Sequence, residues 1–190
     1  MSGSFFPMIA RMRYINRWGL MRNTDTENIQ EHSHMVAVLS HALAVIQNRY
    51  FGPQIDPGQA AVAALYHDAS EILTGDMPTP IKYDNPAIRK AYKDVEAVAE
   101  EKLLHMLPQE FRPVYALILH PDAETEQLVK AADKLSAYIK CVEELKAGNN
   151  EFREAAAQTR TALEDYGLPE AAYFLETFLP SFSLTLDELK

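Results

Sequence analysis

The sequence predicts an all-α fold in a single domain that spans residues 1–190. Apolar residues recur at three- and four-residue spacing in one segment after another, as they do on the buried face of a helix. No segment alternates apolar and polar residues as a half-buried strand would. The chain is 47% hydrophobic over 190 residues, which suffices for one well-filled core. We see no repeat, low-complexity tract or linker that would mark a second domain.

The predicted helices follow one another along the whole chain and are separated by residues that stop or cap helices. Gly52 follows the second helix, and Gly148 ends a long later helix just before an asparagine that caps the next. One long irregular stretch, residues 74–85, contains Pro78 and Pro80 and is therefore a stiff candidate wall for a substrate pocket. We place the helices at residues 4–15, 26–47, 57–73, 86–106, 109–119, 124–146, 150–165 and, shorter, 170–178.

The composition narrows the kinds of partner and the cellular compartment that we expect for this protein. The net charge of −9 and the lack of a basic stripe argue against a nucleic-acid partner, although a small anionic substrate fits if positive charge is concentrated locally. Cys141 is the single cysteine, so an internal disulfide is excluded and a reducing compartment is expected. No window approaches membrane-spanning length and the N-terminus lacks a secretory pattern. We expect a soluble cytoplasmic protein with no membrane partner.

His67 and Asp68 stand side by side in an apolar, helix-periodic segment, where a purely structural helix has no reason to place them. A divalent cation satisfies an imidazole and a carboxylate together. An ordinary buried His–Asp hydrogen bond is the alternative. At about 100° per residue, Glu71 projects from the same side as His67, which strengthens the metal interpretation without deciding it.

The two sides of this predicted helix differ in the size of their residues. Alanines accompany His67 on one side, and we expect these small residues to leave room for something bulky to approach. We expect the other side to face the core. The alanines are Ala60, Ala63 and Ala64, and the opposite side carries Val62, Leu65, Tyr66, Ala69, Ile72 and Leu73.

Two further candidate ligands lie on other predicted helices. His32 falls in line with the buried stripe of its helix, at the N-terminal end, whereas His34 and His41 project to the other side. Asp133 lies off the apolar stripe of its helix, beside lysines. From spacing alone, Asp133 is as consistent with a salt-bridged surface residue as with a metal ligand.

A histidine near the start of one helix, an adjacent His-Asp on a second and a distant aspartate on a third resemble the ligand pattern of the HD-domain metal-dependent phosphohydrolases. The resemblance extends to the bacterial 5′-deoxynucleotidases of the YfbR type. These longer blocks run through nearly the whole chain and are far more specific than the four ligand positions. They are INRW at 15–18, LMR at 20–22, TENIQEHS at 26–33, YHDASE at 66–71, LTGDMPTP at 73–80 and EELKAGNNEF at 143–152.

The resemblance implies the all-α HD-domain helical bundle, usually as a homodimer. It implies hydrolysis of 2′-deoxyribonucleoside 5′-monophosphates to deoxynucleosides and phosphate, with ribonucleotides rejected. By position, His32, His67, Asp68 and Asp133 would hold one divalent metal ion. The nitrogen and oxygen donors accommodate manganese, cobalt, iron or zinc without naming the native ion, and the family resemblance favours cobalt or manganese.

The resemblance also implies roles for residues around the metal. Glu71 would handle the proton of the attacking water or of the leaving group, and Arg17 would orient the phosphate. Trp18 would press against the sugar where a 2′-hydroxyl would otherwise fit. The residues expected to contact the substrate are Arg17, Trp18, His32, Asp68, Asp76, Met77, Pro78, Thr79 and Asp133.

Several alternatives stay open on the sequence. On composition alone, Trp18 is better explained as a core-anchoring indole, and Asp76 could equally be a turn residue after a glycine. The whole protein could be another HD phosphohydrolase, acting on nucleoside triphosphates or cyclic nucleotides, or a non-catalytic helical binding module. Glu71 and Arg17 favour an enzyme, because a structural His–Asp cluster needs neither a proton carrier nor a phosphate fork.

Overall fold

The computed structural model describes residues 3–52, 55–82 and 84–189, and these residues form helices and no strand. One isolated antiparallel bridge joins Asn16 and Asn28. The all-α prediction is therefore confirmed. The α-helices in this part of the chain are α1 (Phe5–Ile9), α2 (Ile29–Tyr50), α3 (Pro57–Tyr66), α4 (Glu71–Thr74), α5 (Thr79–Lys82), α6 (Pro86–His105), α7 (Arg112–Leu119), α8 (Ala123–Lys146), α9 (Arg153–Asp165) and α10 (Pro169–Thr177). Short 3₁₀ helices occupy Ala10–Tyr14, Gln109–Phe111, Asn150–Phe152 and Leu179–Ser183.

Helices α2, α3 and α8 pack against one another and form the main core. Helix α3 turns Ala60, Ala63 and Ala64 into this core, and all three are buried, whereas Val62 and Leu65 are exposed. The orientation predicted for this helix is therefore wrong: its alanine side is the core side. Small side chains let helix axes approach closely, so the alanines serve helix packing and bring the C-terminal end of α3 against α2 and α8.

The end of α3 also differs from the prediction. The helix stops at Tyr66 instead of continuing to residue 73. The next backbone bonds span three residues, from Ala69 N to Tyr66 O (3.0 Å) and from Glu71 N to Asp68 O (3.0 Å). These tight turns place His67 and Asp68 at a break between α3 and α4, so the angular spacing of a continuous α-helix does not describe their relation to Glu71. The irregular stretch at 74–85 likewise contains the short helix α5.

The start of α2 is held by a capping box. The Asn28 side chain accepts hydrogen bonds from the backbone of Gln30 (3.0 Å) and Glu31 (3.1 Å), and the Glu31 side chain accepts one from Asn28 N (3.3 Å). Reciprocal capping of this kind stabilises a helix N-terminus. It fixes His32 in the first turn of α2, where the imidazole is fully buried. His34 and His41 on the same helix are exposed, as the spacing predicts.

The segment between the first 3₁₀ helix and α2, residues 15–28, is tied to the end of α8 by the buried carboxylate of Glu144. This carboxylate accepts hydrogen bonds from Thr24 N (2.9 Å), Thr24 Oγ1 (2.7 Å), Asn149 Nδ2 (2.8 Å) and Lys140 Nζ (2.5 Å). Burial alone would raise the pKa of Glu144, but these donors hold the pKa well below its usual range. Glu144 is therefore an ionised anchor for the segment.

Two expectations from composition can be compared with the fold. Cys141 is free and buried, and burial raises the pKa of its thiol to about 12, so the sulfur stays protonated. Among the described helices, none combines the length and the apolar character needed to cross a bilayer.

We predict that Glu144→Ala lowers the free energy of unfolding by about 3 kcal/mol, because it leaves the Lys140 ammonium buried without its anionic partner. Urea denaturation followed by circular dichroism measures this. Glu143→Ala is the matched control: it removes a neighbouring but exposed carboxylate and should change stability by less than about 0.5 kcal/mol. Equal stabilities of the two variants would show that Glu144 is no anchor.

Candidate functional site

Four polar side chains from three separate segments converge in the core. His32, His67 and Asp68 each present one ligand atom, and these atoms all lie within 4.8 Å of one another. Asp133, in the middle of α8, places its Oδ1 3.0 Å from His32 Nε2. The structure thus brings together all four residues that the sequence pattern names as candidate ligands, including Asp133, for which spacing alone is ambiguous.

The orientation of the His67 ring decides which of its two nitrogens faces the cluster. Nδ1 lies 2.7 Å from the carbonyl oxygen of Ala64, and because a carbonyl only accepts, Nδ1 must carry the proton. Nε2 is buried without a hydrogen-bond partner and lies 3.2 Å from Asp68 Oδ2. Burial alone would lower the pKa of His67, but the Asp68 carboxylate raises it above its usual value. A cation between Nε2 and that carboxylate oxygen would satisfy both atoms.

Partners at both ring nitrogens orient His32. Its Nδ1 lies 3.3 Å from Ser136 Oγ, and its Nε2 faces Asp133 Oδ1 (3.0 Å) and Asp68 Oδ2 (3.7 Å). Burial and the nearby Arg17 guanidinium lower the pKa of His32, which favours the neutral imidazole that metal ions bind.

The two carboxylates of the cluster are kept ionised. Burial by itself would raise the pKa of Asp68, but His67, His32 and Arg17 hold it well below its usual range. Asp133 is also shifted well downward, with Lys134 and His32 outweighing burial. Two imidazoles and two carboxylates form a donor set suited to one transition-metal ion, and the orphaned Nε2 of His67 shows that the residues fit such an ion.

Glu71, the first residue of α4, has the opposite electrostatic environment. Its side chain is buried, and its Oε2 has no hydrogen-bond partner. Burial, reinforced by the negative charges of Asp68 and Asp76, raises the pKa of Glu71 to about 9. A carboxyl group with a raised pKa beside the candidate cation site is suited to general acid–base chemistry.

Arg17 and Trp18 lie on the segment before α2 and share one acceptor. Arg17 donates from Nε to Glu27 Oε2 (3.1 Å) and from Nη1 to Asp68 Oδ2 (3.3 Å). Trp18 donates from Nε1 to the same Glu27 oxygen (3.0 Å), and its ring centroid lies 5.2 Å from that of Phe152. Trp18 is therefore a packed, half-buried side chain next to the arginine, and its contacts are compatible with both interpretations of the indole.

The loop after α4 approaches the cluster from another side. Gly75 adopts φ 75°, a conformation that glycine accepts without strain, and the next residue, Asp76, is half-buried. Burial raises the pKa of Asp76, the Arg17 guanidinium opposes that shift, and the Asp68 charge adds to it, so Asp76 lies within electrostatic reach of the site. Met77 and Pro78 are also half-buried. The Thr79 side chain lies outside the described residues.

A cavity of about 330 Å³ opens beside His67, Asp68 and Asp133. Its rim includes basic residues that sequence reasoning missed, and one of them, Lys82, is paired with Glu96 (2.8 Å). On a helix such residues look like an ordinary solvated face, so no signal in the sequence singles them out. The basic residues of the rim are Lys82, Arg89, Lys93, Lys130 and His120.

Comparison with known proteins yields a family and a fold. The profile of a family described as 5′-deoxynucleotidase YfbR-like matches residues 4–182. The chain is 52% identical to a 5′-deoxynucleotidase of Vibrio parahaemolyticus over 188 residues, 97% of each chain. It is 50% identical to the 5′-deoxynucleotidase YfbR of Escherichia coli over 188 residues, 97% of this chain and 94% of that one.

Two solved structures share the fold. An HD-domain phosphohydrolase of Listeria innocua superposes with a TM-score of 0.82 at 23% identity, over 94% of this chain and 88% of that one. The cyanophage S-2L HD phosphohydrolase DatZ, bound to dA and one catalytic Zn²⁺ ion, superposes with a TM-score of 0.65 at 24% identity, over 95% and 99% of the two chains. These similarities confirm the predicted HD-domain bundle.

We predict that His32→Ala weakens Mn²⁺ or Co²⁺ binding by at least about tenfold, because it removes a buried donor from the cluster. Isothermal titration calorimetry on chelator-stripped full-length chain measures the affinity. His41→Ala removes an exposed imidazole from the same helix and should bind metal like the unaltered chain. A His32→Ala protein with undiminished affinity would place the metal site elsewhere.

Proposed function

The chain belongs to the 5′-deoxynucleotidase YfbR-like family, and from this membership we propose a metal-dependent hydrolysis of 2′-deoxyribonucleoside 5′-monophosphates that rejects ribonucleotides. The sequence-based assignment to this family is confirmed. In the reaction, the oxygen of water bonds to phosphorus, the bond between phosphorus and the 5′ oxygen breaks, and the products are a deoxynucleoside and phosphate. The observation that carries the proposal is the Arg17 guanidinium, 3.3 Å from Asp68 and beside the His–Asp cluster.

We assign one divalent cation to His32, His67, Asp68 and Asp133. When bound, such a cation offsets the charge of the phosphate and lowers the pKa of a coordinated water. The donor set admits several transition metals. Cobalt or manganese therefore stays a prediction, and the zinc ion described for DatZ belongs to that protein.

Arg17 binds and orients the phosphate in this proposal. A guanidinium has five N–H donors in a rigid fork. Glu27 and Asp68 engage Nε and Nη1, which fixes the plane of the group and leaves Nη2 for phosphate oxygens. A pre-oriented cation of this kind stabilises the charge on the transferred phosphoryl group without reorganising during the reaction.

Glu71 moves the proton. As a carboxylate it accepts a proton from the attacking water, and as a carboxylic acid it donates that proton to the 5′ oxygen as the bond to phosphorus breaks. The raised pKa, about 9, supports the second half of this cycle, and the partnerless Oε2 supports the first. This role does not require Glu71 to be a metal ligand.

The substrate-contacting residues complete the pocket. We propose that Trp18 fills the space of a ribose 2′-hydroxyl, so that a ribonucleotide is rejected sterically and by the cost of burying the extra oxygen. Asp76, Met77, Pro78 and Thr79 on the loop after α4 would contact the nucleotide. His32, Asp68 and Asp133 would touch the phosphate from the metal side.

Other expectations stay predictions. They are the homodimer, the cytoplasmic location, the lack of a nucleic-acid partner and the single domain. The alternative of a non-catalytic module is set aside, since relatives with about half of their residues identical are named 5′-deoxynucleotidases.

The test of the proposed function is a phosphate-release screen over paired ribo- and deoxyribonucleoside 5′-monophosphates. We expect chelator-stripped protein to be inactive, Mn²⁺ or Co²⁺ to restore phosphate release from dAMP, and AMP to be hydrolysed much more slowly. A nucleoside triphosphate and a cyclic nucleotide in the same screen test the other HD-type reactions. Full activity in chelator would contradict the metal mechanism, and equal rates on AMP and dAMP would contradict the selectivity.

We predict that Glu71→Gln keeps the metal but lowers kcat on dAMP by about 100-fold or more, because the amide cannot exchange a proton. Phosphate release and metal content measured on the same sample separate the two effects. Glu100→Gln is the control, because it neutralises another carboxylate that lines the cavity and should leave kcat within about twofold. If Glu71→Gln turns over like the unaltered chain, another group carries the proton.

A further inference from the structure

We infer that Glu27 is a positioning residue that holds Arg17 and Trp18 in their working orientations and thereby couples phosphate alignment to sugar selectivity. This inference rests on the proposed function of those two residues. Glu27 is not among the residues that the sequence pattern marks for chemistry. Its Oε2 contacts Arg17 and Trp18, and its Oε1 lies 3.8 Å from His32 Nδ1.

A single oxygen of Glu27 joins the two side chains. Its Oε2 accepts hydrogen bonds from Arg17 Nε (3.1 Å) and Trp18 Nε1 (3.0 Å). The carboxylate is largely buried, with 14% of the side chain exposed. Since both donors converge on one atom, a shift of that atom moves the guanidinium and the indole together.

The backbone holds Glu27 opposite its two partners. Arg17 N donates to Glu27 O (2.9 Å), and Ile29 N donates to Ile15 O (2.9 Å). These bonds pair the segment that carries Arg17 with the residues just before α2. Glu27 precedes Asn28, the N-cap of α2. The position of its carboxylate is therefore fixed relative to the helix that carries His32.

Trp18 needs such a restraint because its backbone is strained. Its φ is 59°, in the left-handed region that a bulky residue rarely adopts. A strained residue persists only where its surroundings over-determine it. The Glu27 hydrogen bond fixes the indole end of the side chain, and the contacts of Met21 N (2.9 Å) and Asn23 Nδ2 (3.4 Å) with Trp18 O fix its main chain.

Two substitutions separate the effect of the length of the Glu27 side chain from the effect of its charge. Glu27→Gln keeps an acceptor oxygen at the same reach. Glu27→Asp keeps the charge but withdraws it by one methylene, so the oxygen cannot serve both donors in place. If position is what matters, the shorter acid is the more damaging change.

The experiment uses metal-loaded full-length chain and measures kcat and KM for dAMP and AMP. We expect Glu27→Asp and Glu27→Ala to lower kcat/KM on dAMP by roughly tenfold or more and to shift the AMP:dAMP ratio toward that of Trp18→Ala. Glu27→Gln should retain most of both. Asp25→Asn, an exposed carboxylate on the same segment, is the control for the charge change and should match the unaltered chain.

Intrinsic fluorescence supplies a readout that does not depend on turnover. Trp18 is the only tryptophan of the chain, so emission reports on this side chain alone. Glu27→Asp should alter the emission and make it more accessible to acrylamide, whereas Glu27→Gln and Asp25→Asn should not.

The outcomes separate this inference from the proposed function. If the unaltered chain releases no phosphate from dAMP, the proposed function fails whatever the fluorescence shows. If it is active and Glu27→Asp leaves the AMP:dAMP ratio and the emission unchanged, the positioning role of Glu27 is wrong. A Glu27→Asp protein that loses rate on both nucleotides equally, with unchanged selectivity and emission, would also overturn it. Should Glu27→Ala not fold, the Asp and Gln variants decide the question.

Discussion

Enclosing two imidazoles and two carboxylates where α2, α3 and α8 meet is the main physical demand on this fold. His32 is fully buried there, and His67, Asp68 and Asp133 are half-buried. Such groups are expensive to bury unless charge partners compensate for the lost water. Helix α3 makes the arrangement possible, because its alanine side lets α2 and α8 approach. As a result Asp133 reaches to within 3.0 Å of His32. Core packing and cation binding therefore rest on the same helix contacts.

Residues 15–28 form a second layer over this cluster, and two buried carboxylates secure that layer in different ways. Glu144 anchors the segment to α8 by accepting hydrogen bonds from Thr24 N, Thr24 Oγ1 and Asp25 N, while Lys140 and Asn149 supply its other donors. Glu27 orients two side chains of the segment toward the site. The first carboxylate determines where the segment lies, and the second determines where its functional groups point.

Two neighbouring carboxyl groups have oppositely shifted pKa values because their surroundings differ. Asp68 lies among His67, His32 and Arg17, so its pKa falls despite burial. Glu71 has burial and the negative charges of Asp68 and Asp76 as its largest influences, so its pKa rises. Environments that push two pKa values apart are what the proposed roles of ligand and proton carrier require of one kind of side chain. Asp68 lies in the break between α3 and α4, and Glu71 is the first residue after it.

The helical architecture, the burial of His32 and the resemblance to one enzyme family can all be predicted from the sequence, because helical periodicity and long motif blocks are local signals. The side of α3 that faces the core, the point where that helix breaks and the contact between Asp133 and His32 follow only from how the chain packs. Periodicity distinguishes an apolar side of a helix from a polar one, but it does not say which of two apolar sides, one of alanines and one of Val and Leu, faces the core. The distance between helix axes and the contact of Asp133 with His32 involve segments far apart in the sequence, so they arise only when the chain packs.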